Sequence, residues 1–402
     1  MNIGLLTPYF PDQKTKNSGI ANHVDILSRE LADMGENIIV IHVRPKYDNE
    51  FDKFEKQTSG RITVLTYKVC LSSWIIKLLK NHWAVLDLLL KLKMILTIGV
   101  KLNSIKNIYR IDILETSSYF SLSIIQGLLF SSLPIVVRVS TTYLQMLKDH
   151  YHFKSRLLFF FGKLEILMIN RAKNLVTHAY NHALEIEKNY GISAKRFTII
   201  PHGVNSPKER ISKIDEEKLK ILYVGRLEYR KGSDLLMDAI PIILLTCDEV
   251  VFEIVGLDPN GAYEETFRLK NKKWINDRVV FRGELENESV QKAYAECDIF
   301  VAPSRYESFG LIYIEAMSFG KPVIGCNVGG VSEIIVDGFN GLFAETNDSK
   351  SLAEKNIRLI KNNLLRETMG KNAEETFKRK FSSKKLAIDS ITYYKSILKN
   401  QH

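Results

Sequence analysis

The sequence predicts an α/β protein of two doubly wound parallel-sheet domains, and three observations carry that expectation. A strand-helix-strand pattern opens the chain, the same alternation restarts near residue 221, and 402 residues exceed what one ordinary core accommodates.

Ile3 to Thr7 is an apolar strand followed by a Gly/Ser-containing loop. Ile20, Val24, Leu27, Leu31 and Met34 then recur at alternating spacings of four and three, the pattern of one buried helix face. Gly35 stops that helix and 37-NIIVIHV-43 supplies the next strand, completing a βαβ unit with a right-handed crossover. The short apolar runs 62-ITVLTY-67, 111-IDILE-115, 134-PIVVRV-139, 174-NLVT-177 and 197-FTIIP-201 read as further strands buried on both faces. The first domain is therefore placed at 1–205. The polar stretch 206-SPKERISKIDEEKLK-220 interrupts this rhythm and is the linker candidate. Strands 221-ILYVG-225, 250-VVFEIVG-256, 278-RVVFRG-283, 298-DIFVAPS-304 and 322-PVIGC-326 build a second domain over 206–380. Residues 381–402 form a last helix, carrying Tyr393, Tyr394, Ile397 and Leu398, that is expected to pack back on the first domain.

The net charge of +10 favours anionic partners. Much of it lies in 71-LSSWIIKLLKNHWAVLDLLLKLKMILTIGVKLNSIKNIYR-110, where lysines interrupt every apolar run before it reaches transmembrane length. This segment reads either as a basic amphipathic helix pair on an anionic membrane, with Trp74 and Trp83 at the interface, or as two core helices with solvated lysine faces. Four cysteines without a C-x-x-C pair suggest neither a disulfide framework nor a zinc site. With an N-terminus that reads as strand and turn instead of a signal peptide, they point to a cytoplasmic protein. His23, His178 and His182 have no spacing that signals a metal, leaving surface or core roles, and His178 and His182 share a helix face only if Tyr180 is helical.

Two segments carry chemistry. In 303-PSRYESFGLIYIEAMSFGKPVIG-325, Glu307 and Glu315 stand eight residues apart around a helix start near Phe309 or Gly310, whose free N–H groups and positive dipole end suit a phosphate. Glu315, inside an apolar helix, needs hydroxyls, N–H groups or a cation, which a ribose diol would supply. In 224-VGRLEYRKGSDLL-235, Arg226 and Lys231 sit on the loop after the domain's first strand, where two cations could hold a diphosphate leaving group.

These segments, with 18-SG-19, 200-IPHGVN-205, 223-YVGRLEYRKG-232 and 329-GGVSEIIVDGFNGLF-343, give a chain that resembles the retaining family 4 (group 1) glycosyltransferases of the GT-B fold, over nearly its whole length. The resemblance implies two Rossmann-like domains facing across a cleft, an N-terminal acceptor side and a C-terminal nucleotide-sugar side. It implies that Arg226 and Lys231 contact the donor diphosphate, that the backbone of Ser308, Phe309, Gly310 and Leu311 cradles it, and that Glu315 holds the ribose. It further implies that Glu307 bonds the transferred sugar and that Gly19 brings backbone close to the phosphates. No tightly bound cofactor or metal is implied. The co-substrate is a nucleoside-diphosphate sugar, UDP ahead of GDP, and the acceptor a glycan or lipid-linked glycan at the inner face of the membrane, with no role for nucleic acid. Transfer would proceed on the front face, the departing phosphate taking the acceptor's proton.

The sequence departs from the family in places. The histidine usual after the strand at 135–139 is replaced by Ser140, which, with Arg138, could assist, or could be ordinary strand-end chemistry. His202 stands where Asn is frequent, and Asn205 where Asp is. Arg282 and Leu285 could flank the base, or form a plain surface turn. A nucleotide-sugar-binding module that has lost catalysis is the alternative reading. A dinucleotide-dependent oxidoreductase is disfavoured because no G-x-G-x-x-G follows the first strand.

Overall fold

The structure is a computed structural model describing residues 1–11, 19–46, 52–129, 133–149, 156–207, 218–275 and 277–400. Contacts divide the chain into two compact units, Met1–Gly203 with Leu386–His402, and Val204–Lys385. Most of the linker candidate, residues 208–217, lies outside the described residues, and Leu219 already belongs to a strand.

The N-terminal unit runs β1 (Asn2–Thr7), α1 (Gly19–Asp33), β2 (Asn37–Lys46), β3 (Lys53–Ser59), β4 (Ile62–Cys70), α2 (Ser73–Leu78), α3 (Trp83–Tyr109), β5 (Ile113–Ser117), α4 (Ile124–Leu129), β6 (Ile135–Val139), α5 (Tyr143–Asp149), α6 (Arg156–Arg171), β7 (Asn174–Thr177), α7 (Tyr180–Tyr190) and β8 (Phe197–Ile199). Its eight strands lie in the order β3-β4-β2-β1-β5-β6-β7-β8. One face of this sheet packs against α3, α4, α6 and α7 through Met94, Ile98, Ile124, Phe161, Met168 and Ile186. The other packs against α1 through Val24, Leu27 and Leu31.

Strand β3 corrects the expectation of a purely parallel sheet. It pairs antiparallel with β4, and its residues Lys53 to Ser59 are all exposed. An edge strand this polar carries no buried face, so it leaves no apolar periodicity to read. Strand β4, paired with β2 and β3 on its two edges, is mostly half-buried, in place of the burial on both faces expected there.

The C-terminal unit runs β9 (Leu219–Val224), α8 (Ser233–Thr246), β10 (Val250–Val255), α9 (Ala262–Lys270), β11 (Val279–Gly283), α10 (Asn287–Glu296), β12 (Ile299–Ala302), α11 (Leu311–Ser318), β13 (Val323–Cys326), α12 (Val331–Ile334), β14 (Gly341–Ala344), α13 (Ser349–Lys361) and α14 (Asn363–Thr376). The six strands are all parallel, in the order β11-β10-β9-β12-β13-β14. Strand β14 was not expected from sequence, its four residues being too short a run between turns. The order reverses between β9 and β12, the position at which doubly wound sheets open a crevice at their carboxyl ends.

A last helix, α15 (Ser383–Lys399), belongs to the N-terminal unit from Leu386 onward. Leu386, Ala387, Ile391, Tyr394 and Ile397 join Val24, Leu27 and Leu31 on the α1 face of the first sheet.

Candidate functional site

The crevice between β9 and β12 is built by two loops locked together through backbone contact. Gly232, at the end of the loop after β9, has φ +68°, and a Cβ there would lie 1.9 Å from the carbonyl oxygen of Pro303, at the end of β12. Only glycine permits that approach. Arg305 straps the same two loops, donating its backbone N–H to Arg230 O at 2.8 Å, forking onto both Asp234 oxygens at 2.7 Å and stacking over Tyr229.

The locking sets Lys231 against Glu307. The ammonium pairs with Glu307 Oε1, and Ser304 Oγ donates to that oxygen at 3.0 Å. Glu307 is buried, so its charge depends on these two partners. Arg226, on the same loop, is exposed, and its guanidinium forms no ion pair with a described residue, while its carbonyl accepts the Tyr223 hydroxyl at 3.0 Å. The loop thus presents one cation already engaged and one ready for an anion.

Helix α11 begins at Leu311 behind Gly310, whose φ is +112°. The segment before it is fixed from below: Gly330 N–H donates to Glu307 O at 3.0 Å, and a Cβ on Gly329 would fall 2.0 Å from that same oxygen. The N–H groups of Gly310, Leu311 and Ile312 have no carbonyl of their own helix to bond, whereas that of Tyr313 already donates to Gly310 O at 3.1 Å. Ser308 is half-buried, and the buried Phe309 packs edge-on against Phe381. Glu315 lies one turn into α11, half-buried, and accepts the Tyr294 hydroxyl at 3.0 Å. Burial raises its pKa above the usual carboxylate value, against the Tyr294 hydrogen bond and the charge of Lys231.

Lys231, Glu307, the start of α11 and Glu315 are therefore brought together at one strand-end crevice, with Arg226 on its first loop. Arg282, at the end of β11, is bonded to Glu253 at 2.9 Å, and Leu285 is half-exposed between β11 and α10. Ser304 and Tyr294, which orient Glu307 and Glu315, went unnoticed in the sequence. A serine three residues before Glu307 could have been read as its partner, but nothing marks Tyr294, on another helix.

In the N-terminal unit, Gly19 is the first residue of α1, and a Cβ there would meet no atom within 4 Å. Ser18 lies outside the described residues. Ser140 is half-buried just after β6. Arg138 is buried instead of facing a ligand: its Nε bonds Glu115 at 2.7 Å and its Nη1 bonds Ile200 O at 3.3 Å. The assisting role considered for it gives way to a core ion pair, because a strand residue on this face points into the layer under α15.

Residues 205–376 match the glycosyl transferases of group 1, and residues 17–207 match glycosyltransferase family 4, so the two matches together span both units. The chain belongs to this family. A glycosyltransferase of Methanocaldococcus jannaschii whose own role is uncharacterised is 36% identical over 176 residues, 44% of this chain and 48% of that one. The capsular polysaccharide biosynthesis glycosyltransferase CapM of Staphylococcus aureus is 30% identical over 247 residues, 59% of this chain and 60% of its own. The matched stretch thus spans about half the length of the first of these relatives. Among solved structures, HepE of Anabaena in complex with UDP and glucose has a TM-score of 0.68 at 18% identity, covering 98% of this chain and 99% of its own, a likeness of GT-B fold. In this family 4 chain, the glycines that lock the crevice, Gly232, Gly329 and Gly330, fall within the group 1 match.

Proposed function

We propose that the protein is a retaining glycosyltransferase that moves a hexose-type sugar from a nucleoside diphosphate, UDP ahead of GDP, to a glycan or lipid-linked acceptor in cell-surface polysaccharide or lipopolysaccharide assembly. The observation that carries this reading is the convergence of Lys231, Glu307, Glu315 and the α11 N-terminus at the β9/β12 switch point, with Arg226, paired with no described residue, on the same loop as Lys231. The kinship with CapM and the fold likeness to a UDP-bound enzyme support it.

In the proposed reaction Arg226, Lys231 and the first N–H groups of α11 hold the diphosphate, and Glu315 accepts from the ribose hydroxyls. As Lys231 turns to phosphate, Glu307 is freed to accept from the sugar. The acceptor oxygen bonds to the anomeric carbon as the bond to the diphosphate oxygen breaks; that oxygen keeps the electron pair, and a phosphate oxygen takes the acceptor's proton. Fixed cations and N–H groups aimed at the departing charge supply the rate enhancement. Gly19 would bring the start of α1 close to the donor.

Thermal unfolding with UDP, GDP, ADP, CMP and NAD tests the donor site. A ligand at about 100 times its Kd adds roughly 2.7 kcal/mol, a readily measured shift. UDP or GDP is expected to stabilise the protein and NAD to leave it unchanged. The raised pKa of Glu315 means that it gains a proton at a higher pH than an ordinary glutamate, so nucleotide affinity is expected to fall on mild acidification, and Glu315→Gln to remove that pH dependence. No stabilisation by any nucleotide would count against both this reading and a nucleotide-sugar-binding module, whereas stabilisation without transfer would return the reading to that module.

The outer side of the α3/α6 layer suits an anionic membrane surface. Residues 71–110 hold seven Lys/Arg and one acid, Asp87, which is paired with Lys91. Trp74 and Trp83 are 65% and 61% exposed, with the exposed Lys77 and Lys80 between them in the chain, and α6, packed on α3, exposes Phe159, Phe160 and Lys163. Exposed rings among unopposed lysines match an interface of acyl chains under anionic headgroups. No helix among the described residues is long and apolar enough to cross a membrane. Sedimentation with vesicles containing phosphatidylglycerol at low salt is expected to carry the protein down, less so at high salt and for Trp74→Ser/Trp83→Ser. Equal recovery with neutral vesicles, or none with either, counts against this face.

A further inference from the structure

Four histidines from three separate stretches of chain form one continuous stack at the carboxyl end of the N-terminal sheet. His178 follows β7, His182 lies in the first turn of α7, His202 follows β8, and His23 comes from α1, one turn after Gly19. Tyr180 opens α7, which puts His178 and His182 one turn apart with ring centroids at 4.5 Å. His178 stacks on His202 at 5.0 Å, and His202 meets His23 edge-on at 5.0 Å, their Nδ1 atoms 3.2 Å apart. Thr177 Oγ1 lies 2.7 Å from His182 Nδ1 at one end of the line. At the other, His23 Nε2 lies 3.7 Å from Glu115 Oε1.

This arrangement is not ordinary apolar packing, and among the described residues no group of three or more His, Cys, Asp or Glu is placed to hold a metal ion. Its consequence is a polar seam that ties α1 to the loops after β7 and β8. The charged groups facing it are Arg138 from β6 and Glu115 from β5, with the Tyr394 hydroxyl from α15. Glu115 accepts from Arg138 and from Tyr394, at 2.7 Å and 2.6 Å, and although its charge favours a protonated His23, burial of that ring and the charge of Arg138 outweigh it. A first imidazolium would face Arg138 and further rings at stacking distance, with His23, His178 and His182 buried and His202 half-buried.

We propose that the four imidazoles act as positioning residues, clamping the first turns of α1, which begin at Gly19, to the loops after β7 and β8, and that acid releases the clamp. Its bearing on catalysis rests on the proposed approach of Gly19 to the donor. Burial, then Arg138, lowers the pKa of His23; burial and the neighbouring rings hold His202 well below its usual range; burial alone lowers His182 to about 4. A released ring takes its proton near the ordinary 6.5, whereas a clamped one resists to lower pH. The clamp is therefore complete above 6.5 and is lost progressively as pH falls towards about 4.

Hydrogen–deuterium exchange of the amides of residues 23–28, corrected for intrinsic rates, tests the clamp without any substrate. Between about pH 7.5 and about pH 5.5 the wild type is expected to lose roughly tenfold or more of its protection there, while helix α8 of the other unit keeps its own. His202→Asn, which keeps a hydrogen-bonding side chain but does not titrate, is expected to flatten that response, and His182→Gln to reduce it. Unchanged protection in the wild type, or an equal loss in His202→Asn, overturns the proposal. A second arm follows transfer: the donor KM is expected to rise with acid in step with the loss of protection, with a weaker rise in His202→Asn. Protection that falls while KM holds removes the positioning role. An absence of transfer with every donor at neutral pH, beside a pH-dependent exchange response, would instead overturn the transferase reading and leave the clamp standing.

Discussion

Arg226→Ala and Lys231→Ala are each expected to lower kcat/KM for sugar transfer by about 10²–10³, the usual effect of removing one contact to charge that develops in the transition state. The two differ in what else they change. Arg226 is exposed and its guanidinium pairs with no described residue, so its removal should leave stability within about 0.5 kcal/mol of wild type. Lys231→Ala also strands the buried Glu307 with Ser304 as its remaining partner, and a further loss of about 1–3 kcal/mol in stability is expected. Lys231→Arg should recover part of the stability and little of the activity, because a planar fork does not replace a point charge in a fitted site. Initial rates with the true donor and acceptor, alongside calorimetry, separate the two effects. Full turnover in Arg226→Ala would remove the loop after β9 from the reaction.

The second large effect is structural. Gly232→Ala puts a methyl where the Pro303 carbonyl already lies, at a φ that costs a non-glycine residue about 1–2 kcal/mol. With about 1–3 kcal/mol more for the displaced backbone, a total loss of about 2–5 kcal/mol is expected, seen as a fall of several degrees in Tm. The same displacement moves Lys231 away from Glu307, so activity should fall further than stability alone explains. A variant with wild-type Tm and turnover would show that the two loops are not locked through this contact. Gly19→Ala is the informative contrast: its Cβ meets nothing within 4 Å, so it should fold normally, and any loss of activity would come from the ligand side.

Which features could be read from sequence follows from where the signal resides. Apolar runs such as 37–43 and 298–304 announced their strands because burial on both faces leaves a continuous hydrophobic record. Strand β3 left none, since Lys53 to Ser59 face solvent throughout. The helix start after Gly310 was legible because it comes from local backbone signals, and Arg226 and Lys231 stood out because cations on a strand-end loop are conspicuous. The partners of those groups were not. Tyr294 reaches Glu315 from another helix, and Glu115 reaches Arg138 across a strand pair, so only the tertiary fold brings them into contact. The histidines show the same limit: His23 and His202 lie 179 residues apart, and no spacing rule predicts a shared hydrogen bond.

The seating of α15 on the first sheet has a consequence for how the polypeptide matures on the ribosome. Leu386, Ala387, Ile391, Tyr394 and Ile397 cover Val24, Leu27 and Leu31, yet they are translated only after the whole of the unit Val204–Lys385. Until they emerge, the α1 side of the first sheet is only partly covered, and the Tyr394 hydroxyl that completes the Glu115–Arg138 pair is missing. The later-encoded unit, contiguous from Val204 to Lys385, has its whole core available sooner. The nascent chain should therefore finish its second half before its first, and a stop codon shortly before Leu386 would leave a half-built N-terminal unit exposed to chaperones and proteases.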